Sequence, residues 1–108
     1  MPRVKLSDAA RIDIQRLYDF LAQFDLTAAD SGNDAIVAGL DYLETYPLSG
    51  SPVEDRPHVR KSVVAFGASG YLIFHKRYER TDTVLVARII HQKEWYEIGA
   101  IGTQELGA

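Results

Sequence analysis

Tyr71-Leu72-Ile73-Phe74-His75-Lys76-Arg77-Tyr78, followed after a short turn by Thr83-Val84-Leu85-Val86-Ala87-Arg88-Ile89-Ile90-His91, decides the fold of this chain. Both runs are rich in β-branched and aromatic residues, which suit a pleated, half-buried surface. Glu79-Arg80-Thr81-Asp82 between them is a turn of hairpin length, so the runs pair antiparallel. The second run is apolar on both of its alternating faces, the pattern of a central strand covered on both sides. One step upstream, His58 to Phe66 reads as a further strand, with Val59, Val63 and Ala65 among its members. Gly67-Ala68-Ser69-Gly70 turns it back towards Tyr71. The three strands make an antiparallel meander.

Working outward, the first half of the chain changes period. Val4 and Leu6 alternate with Arg3 and Lys5 as a short edge strand. Ser7-Asp8 supplies a helix N-cap and a favourable negative charge beside it. From Ala9 to about Phe24, Ile14, Leu17, Tyr18, Leu21 and Phe24 recur at spacings of three and four, the mark of an amphipathic helix. Asp13, Arg16 and Asp19 lie off that face. Asp25-Leu26 breaks the pattern, and Thr27 with Asp30 resembles a capping box with a shortened acid. A second helix runs from about Ala28 to Thr45, with Ile36, Val37, Leu40, Leu43 and Tyr46 as its apolar stripe. Gly32 and Gly39 each cost roughly 1 kcal/mol inside a helix, and in return permit a close approach of a neighbouring element. Pro47-Leu48-Ser49-Gly50-Ser51-Pro52 is turn chemistry, and Pro57 ends the linker.

The expected fold is therefore α+β: an N-terminal edge strand, an antiparallel helix hairpin and a three-stranded antiparallel meander. A single domain spans residues 1–98. Trp95 and Tyr96 fall in a short helix or docked tail over 92–98, and the Gly-rich, weakly apolar residues 99–108 read as a flexible tail.

Composition sets bounds on function. The chain has 108 residues and no cysteine, which excludes disulfides and thiolate metal sites. It has no signal-peptide core and no run long enough to span a membrane, so a cytoplasmic protein is expected. Net charge is −3, whereas proteins that dock on RNA usually carry a basic excess. The charge is uneven. Residues 1–53 hold four basic and eight acidic side chains, while residues 54–94 hold eight basic and five acidic. Ordinary solvated scatter accounts for this as well as a functional patch does.

Candidate chemistry is sparse. His58, His75 and His91 stand on different strands with no HxxxH or HxH spacing, so ordinary histidines are favoured over a metal site, and no cofactor is implied. Ser69 lies in a hairpin turn with no helix after it, unlike a nucleophile elbow. Metal-free ribonuclease chemistry needs a base, an acid and cations for the phosphorane charge. Arg60, Lys61, His75, Arg77, Arg88, His91 and Tyr96 supply those types. Strict alternation puts Tyr71, Ile73, His75 and Arg77 on one face. It also puts Leu85, Ala87, Ile89 and His91 on one face of the last strand, with Val84, Val86, Arg88 and Ile90 on the other. His75, Arg77 and His91 are then candidates to meet at one rim. Solvated polar residues at strand ends explain the same set more simply. Trp95 and Tyr96 suit base stacking, or the commoner role of pinning a tail.

Five pieces in order resemble the RelE/ParE family of bacterial type II toxin–antitoxin toxins. Ala10-Arg11-Ile12-Asp13-Ile14 is similar to the family's first-helix Ala-x-x-Asp-(Ile/Leu). Leu43-Glu44-Thr45-Tyr46-Pro47-Leu48-Ser49-Gly50 matches its Leu-x-x-x-Pro-x-x-Gly. Arg60, the Tyr71-Leu72-Ile73-Phe74-His75 strand and the closing Arg88-Ile89-Ile90-His91 complete the set. The Arg-Ile-Ile-His ending and the acidic charge look more like the ParE branch. The Gly-x-Arg-Asp that often follows there is replaced by Gln92-Lys93-Glu94-Trp95.

The resemblance implies a toxin that inhibits DNA gyrase and is neutralised by a ParD-like antitoxin. The RelE branch would instead imply a ribosome-dependent messenger-RNA endoribonuclease, with Arg60, Arg77, Arg88 and His91 as its catalytic set. By analogy the antitoxin would contact Leu17, Tyr18 and Leu21 on the helices and Tyr71, Ile73 and Arg77 on the sheet.

Overall fold

A computed structural model describes residues 2–94. The elements are β1 (Arg3–Leu6), α1 (Asp8–Ala22), α2 (Leu26–Thr45), β2 (Ser51–Val53), β3 (Arg56–Phe66), β4 (Ser69–Tyr78) and β5 (Thr83–His91). They build a five-stranded sheet in the order β1-β5-β4-β3-β2. β1 runs parallel to β5, and the other neighbours are antiparallel. The expected α+β class holds. The added element is β2, three residues of the turn-rich linker that pair back on β3. None of the described helices is long and apolar enough to cross a membrane. Trp95, Tyr96 and the 99–108 tail lie outside the described residues.

Both helices pack on one face of the sheet. Ala10, Leu17, Ile36 and Leu43 meet Tyr71, Ile73, Val84, Val86 and Ile89 in the main core. A smaller cluster on the other face joins Val53, Val59, Leu72, Phe74 and Ala87. β5 is thus apolar on both faces because both of its faces are buried, as the sequence suggested. Gly39 is the point of closest approach: a Cβ there would stand 2.6 Å from the Val64 side chain. Gly32 likewise faces the Tyr71 hydroxyl, so both glycines bring α2 down on the sheet.

Three local expectations change. The α2 N-cap is Asp25, not Thr27. Its side chain accepts from the Thr27 and Ala28 amides and starts the helix two residues early. Phe24, read as part of the α1 buried stripe, is 75% exposed, and Val37 and Tyr46 of the α2 stripe are exposed as well. The helices bury only the narrower part of each stripe that faces the sheet. In β5 the pairing slips: Val86 opposes His75 while Arg88 opposes Phe74. Ala87 is the extra residue of a β-bulge. Val84, Val86, Ile89 and His91 therefore share the helix-covered face, and Arg88 and Ile90 the other. Strict alternation fails here because one inserted residue reverses the parity of everything after it.

Candidate functional site

The first site begins where β1 stops. β1 pairs with β5 only as far as Leu6 opposite Val86. Beyond that point the edge of β5 would be bare, and α1 takes over its hydrogen bonds. The Ser7 amide donates to the Val86 carbonyl, and the Ser7 hydroxyl donates to the Ala87 carbonyl at 2.7 Å while accepting from the Ala10 amide as N-cap. Ala10 is fully buried, which lets the first turns of α1 lie against the strand. One turn on, Asp13 accepts the Ile89 amide at 2.9 Å.

Asp13 is 2% exposed and fully satisfied. Arg88 reaches it with two parallel bonds, Nε to Oδ2 at 2.6 Å and Nη2 to Oδ1 at 2.9 Å. Arg16 adds a longer contact at 3.3 Å. Bidentate pairing of this kind is the strong form of a charge-assisted hydrogen bond. It also holds the Arg88 guanidinium above its ordinary range. Arg16 continues to Glu94 at 2.8 Å, and Glu94 accepts the His91 amide at 2.8 Å. His91 accepts from the Lys93 amide through Nδ1. The neutral ring therefore carries its proton on Nε2, where it meets the Ser69 hydroxyl at 3.1 Å.

A second polar cluster lies at the other end of β4, on the helix-side face. His75 is completely buried, and its Nε2 stands 2.7 Å from the Ser62 hydroxyl. Its Nδ1 has no partner, nor does the buried Nε of Arg77. Burial pushes the His75 imidazole down to about 4, and the neighbouring Arg60 charge adds to the effect. Arg60 itself is engaged by the Ser49 and Gly50 carbonyls, and Arg77 by Asp82 at 3.0 Å.

The candidate ribonuclease residues therefore divide. Arg60, His75 and Arg77 come together on neighbouring positions of β3 and β4. His91 stands at the opposite end of the sheet, since His91 opposes Tyr71 and Arg77 opposes Val84, and Arg88, opposite Phe74, lies on the other face and is tied to Asp13 of α1. Six residues of strand separate these points, about 20 Å, so His75, Arg77 and His91 do not share a rim.

The antitoxin candidates divide too. Leu17, Tyr71 and Ile73 are core residues. Tyr18 is half-buried, bonded to Asp30 at 2.9 Å, and Leu21 is half-buried. Leu17, Leu21 and Tyr71 nevertheless form the floor of a groove of about 650 Å³ beside α1, rimmed by Arg16, Phe20, Phe66 and His91. Next to it α1 exposes Ile12, Phe20 and Phe24, and Leu26 follows. Sequence reading missed Ile12, Phe20 and Leu26 because they lie off the Ile14-Leu17-Leu21 stripe, and it placed Phe24 on that stripe.

Residues 4–96 match the family described as the ParE toxin of the type II toxin–antitoxin system, parDE. The chain belongs to the ParE toxin family. It is a toxin of a type II toxin–antitoxin system within the RelE/ParE superfamily, on its ParE side. Among solved structures it is similar to a chain of the chromosomal ParDE system of P. aeruginosa. There the TM-score is 0.67 at 16% identity, over 84% of this chain and 96% of that one. It is also similar to a chain of the RelBE2 toxin–antitoxin complex of Mycobacterium tuberculosis. That likeness has a TM-score of 0.61 at 20% identity, over 85% of this chain and all of the other. No curated protein matches it. In this ParE-family toxin the two signature pieces at Ala10–Asp13 and Arg88–His91 are one structural unit, joined by the Asp13–Arg88 ion pair.

Proposed function

We propose that this toxin inhibits DNA gyrase in the cytoplasm and is neutralised by a cognate ParD-like antitoxin, with which it forms a hetero-oligomeric complex. The observation that carries the reading is the state of the cations. Arg88 is bound to Asp13, Arg60 to two backbone carbonyls, Arg77 to Asp82, and His75 is buried and held neutral. A phosphorane-stabilising site needs convergent donors aimed at the reacting oxygens, and these donors point into the protein's own structure. Beside α1 the surface carries large apolar side chains. Ile12, Phe20, Phe24 and Leu26 beside the α1 groove suit an amphipathic antitoxin segment that folds as it binds. On this reading Leu17, Leu21 and Tyr71 act as the groove floor.

The test is expression of the chain alone and with the antitoxin encoded beside it, scoring growth, plasmid supercoiling, DNA breaks and messenger-RNA integrity together. The expected outcome is arrest with relaxed or broken DNA and intact message, relieved by the antitoxin. Cleaved message with normal supercoiling would move the function to a RelE-like ribosome-dependent endoribonuclease. Arg60 and Arg77 would then be the residues to replace first.

A further inference from the structure

The end of α2 and the turn after it carry a second exposed surface. Tyr42, Tyr46 and Leu48 are 55%, 53% and 56% exposed. Apolar residues exposed singly are ordinary, but these three stand together. With Thr45, Pro47 and Ser49 they line an open hollow of about 480 Å³. None of the six lines the groove beside α1.

The hollow is rigidly built. The Tyr42 and Tyr46 rings lie against each other, their centroids 4.7 Å apart. Pro47 fixes one backbone angle of the turn, and the Ser49 amide donates to the Tyr46 carbonyl at 3.1 Å. Arg60 clamps the turn from the sheet. Its Nε donates to the Ser49 carbonyl at 3.2 Å and its Nη2 to the Gly50 carbonyl at 2.8 Å. Aromatic side chains held in place before binding lose little freedom on association, and such anchors dominate the energy of protein interfaces.

Charge specifies the occupant. α2 carries Asp30, Asp34, Asp41 and Glu44 and no lysine or arginine. Its last turn has no basic residue, although the free carbonyls at a helix C-terminus favour a cation there. Asp41 lies one turn before Thr45 on the same side of the helix, and Thr45 lines the hollow. Among the described residues neither Asp41 nor Glu44 has an ion-pair partner. The surface therefore offers two aromatic rings beside negative charge that α2 itself leaves unbalanced. A phosphate backbone has the wrong sign for it. A self-complementary contact with a second copy would bring two acidic helix ends together.

We propose that this end of α2 is the surface by which the toxin grips gyrase, through an arginine or lysine of gyrase laid across Tyr42 and Tyr46. The aliphatic stem of that residue rests on the exposed rings and Leu48, and its charged head meets Asp41 and the last carbonyls of α2. The inference rests on the gyrase reading above and deepens it by placing the contact.

The test uses the full chain, purified gyrase in a supercoiling assay, and the antitoxin encoded beside the toxin. Two variants probe the surface. Tyr42→Ala with Tyr46→Ala removes both rings. Thr45→Lys puts a cation at the helix C-terminus, one turn after Asp41, where it stabilises the helix and repels a basic partner. Each variant is expected to inhibit gyrase at least tenfold more weakly while binding antitoxin like wild type. Thr45→Lys should do so with a urea midpoint equal to or above that of wild type, which a merely structural role would not produce.

Wild-type inhibition by both variants would overturn the placement and leave the gyrase reading intact. If the double variant fails to fold, Thr45→Lys decides. Loss of antitoxin binding with unchanged gyrase inhibition would assign the surface to the antitoxin and overturn the proposal. Failure of the wild-type toxin to inhibit gyrase at all would remove the gyrase reading, and the proposal with it.

Discussion

Asp13 and His75 are both buried ionisable side chains, and the protein treats them in opposite ways. Asp13 is ringed by donors: a guanidinium fork, a strand amide and a second arginine. His75 has one hydroxyl partner, an orphaned Nδ1 and a positive neighbour in Arg60. It is held neutral instead. Burial of a charge is tolerated when partners replace the lost water, and is otherwise avoided by discharging the group. Two neighbouring stretches of one sheet show the two solutions.

The largest effect follows from removing the carboxylate. Asp13→Ala leaves Arg88 half-buried without its counter-ion and the Ile89 amide without an acceptor. Breaking one partner of a buried pair costs about 3–5 kcal/mol, a large share of the stability of a domain this size. Urea unfolding should show that loss. Replacing Asp13 and Arg88 together by Leu and Met should recover part of it. An Asp13→Ala protein as stable as wild type would show that the pair is an ornament of the edge and not its anchor.

Next in size is a pH effect that only the neutral site produces. The unfolded-state imidazole takes up its proton near pH 6.5, whereas in the fold it does so only near about 4. The unfolded state therefore binds more protons throughout that window. The contribution is complete above pH 6.5, falls as the pH drops through the window, and is gone below about 4. A shift of this size is worth about 3 kcal/mol. Unfolding free energies measured from pH 7 to 4 should show this slope, and His75→Leu should flatten it. An identical slope in the variant would mean that His75 titrates normally in the fold.

The contrast also explains what could be read in the sequence. Four of the five strands, both helices and their order were legible from hydrophobic period and turn chemistry, and β5 announced its burial on both faces; β2 was not, because its three residues lie in a turn-rich linker. Asp13 and Arg88 were legible only as separate motif positions. Nothing local to either shows that they meet across 75 residues of chain. The bulge at Ala87 was invisible for a different reason. An apolar run reads the same in either parity, so the faces of Arg88 and His91 could not be fixed without the partner strand.

The smallest effect separates the two arginines on the same carboxylate. Arg88 is mostly sheltered and makes two short bonds to Asp13, whereas Arg16 is 40% exposed and makes one bond of 3.3 Å. Exposed ion pairs contribute roughly 0–1 kcal/mol, because water screens them and two long side chains must be held still. Arg16→Ala should therefore cost less than about 1 kcal/mol at low salt and approach zero at high salt. The loss in Asp13→Ala should persist in salt, since a buried pair is screened far less. Arg16 also bridges Asp13 to Glu94 and so to the His91 amide. A larger, salt-resistant effect of Arg16→Ala would mean that the buried unit extends from α1 to the end of β5, and that the boundary drawn here at Arg88 is too narrow.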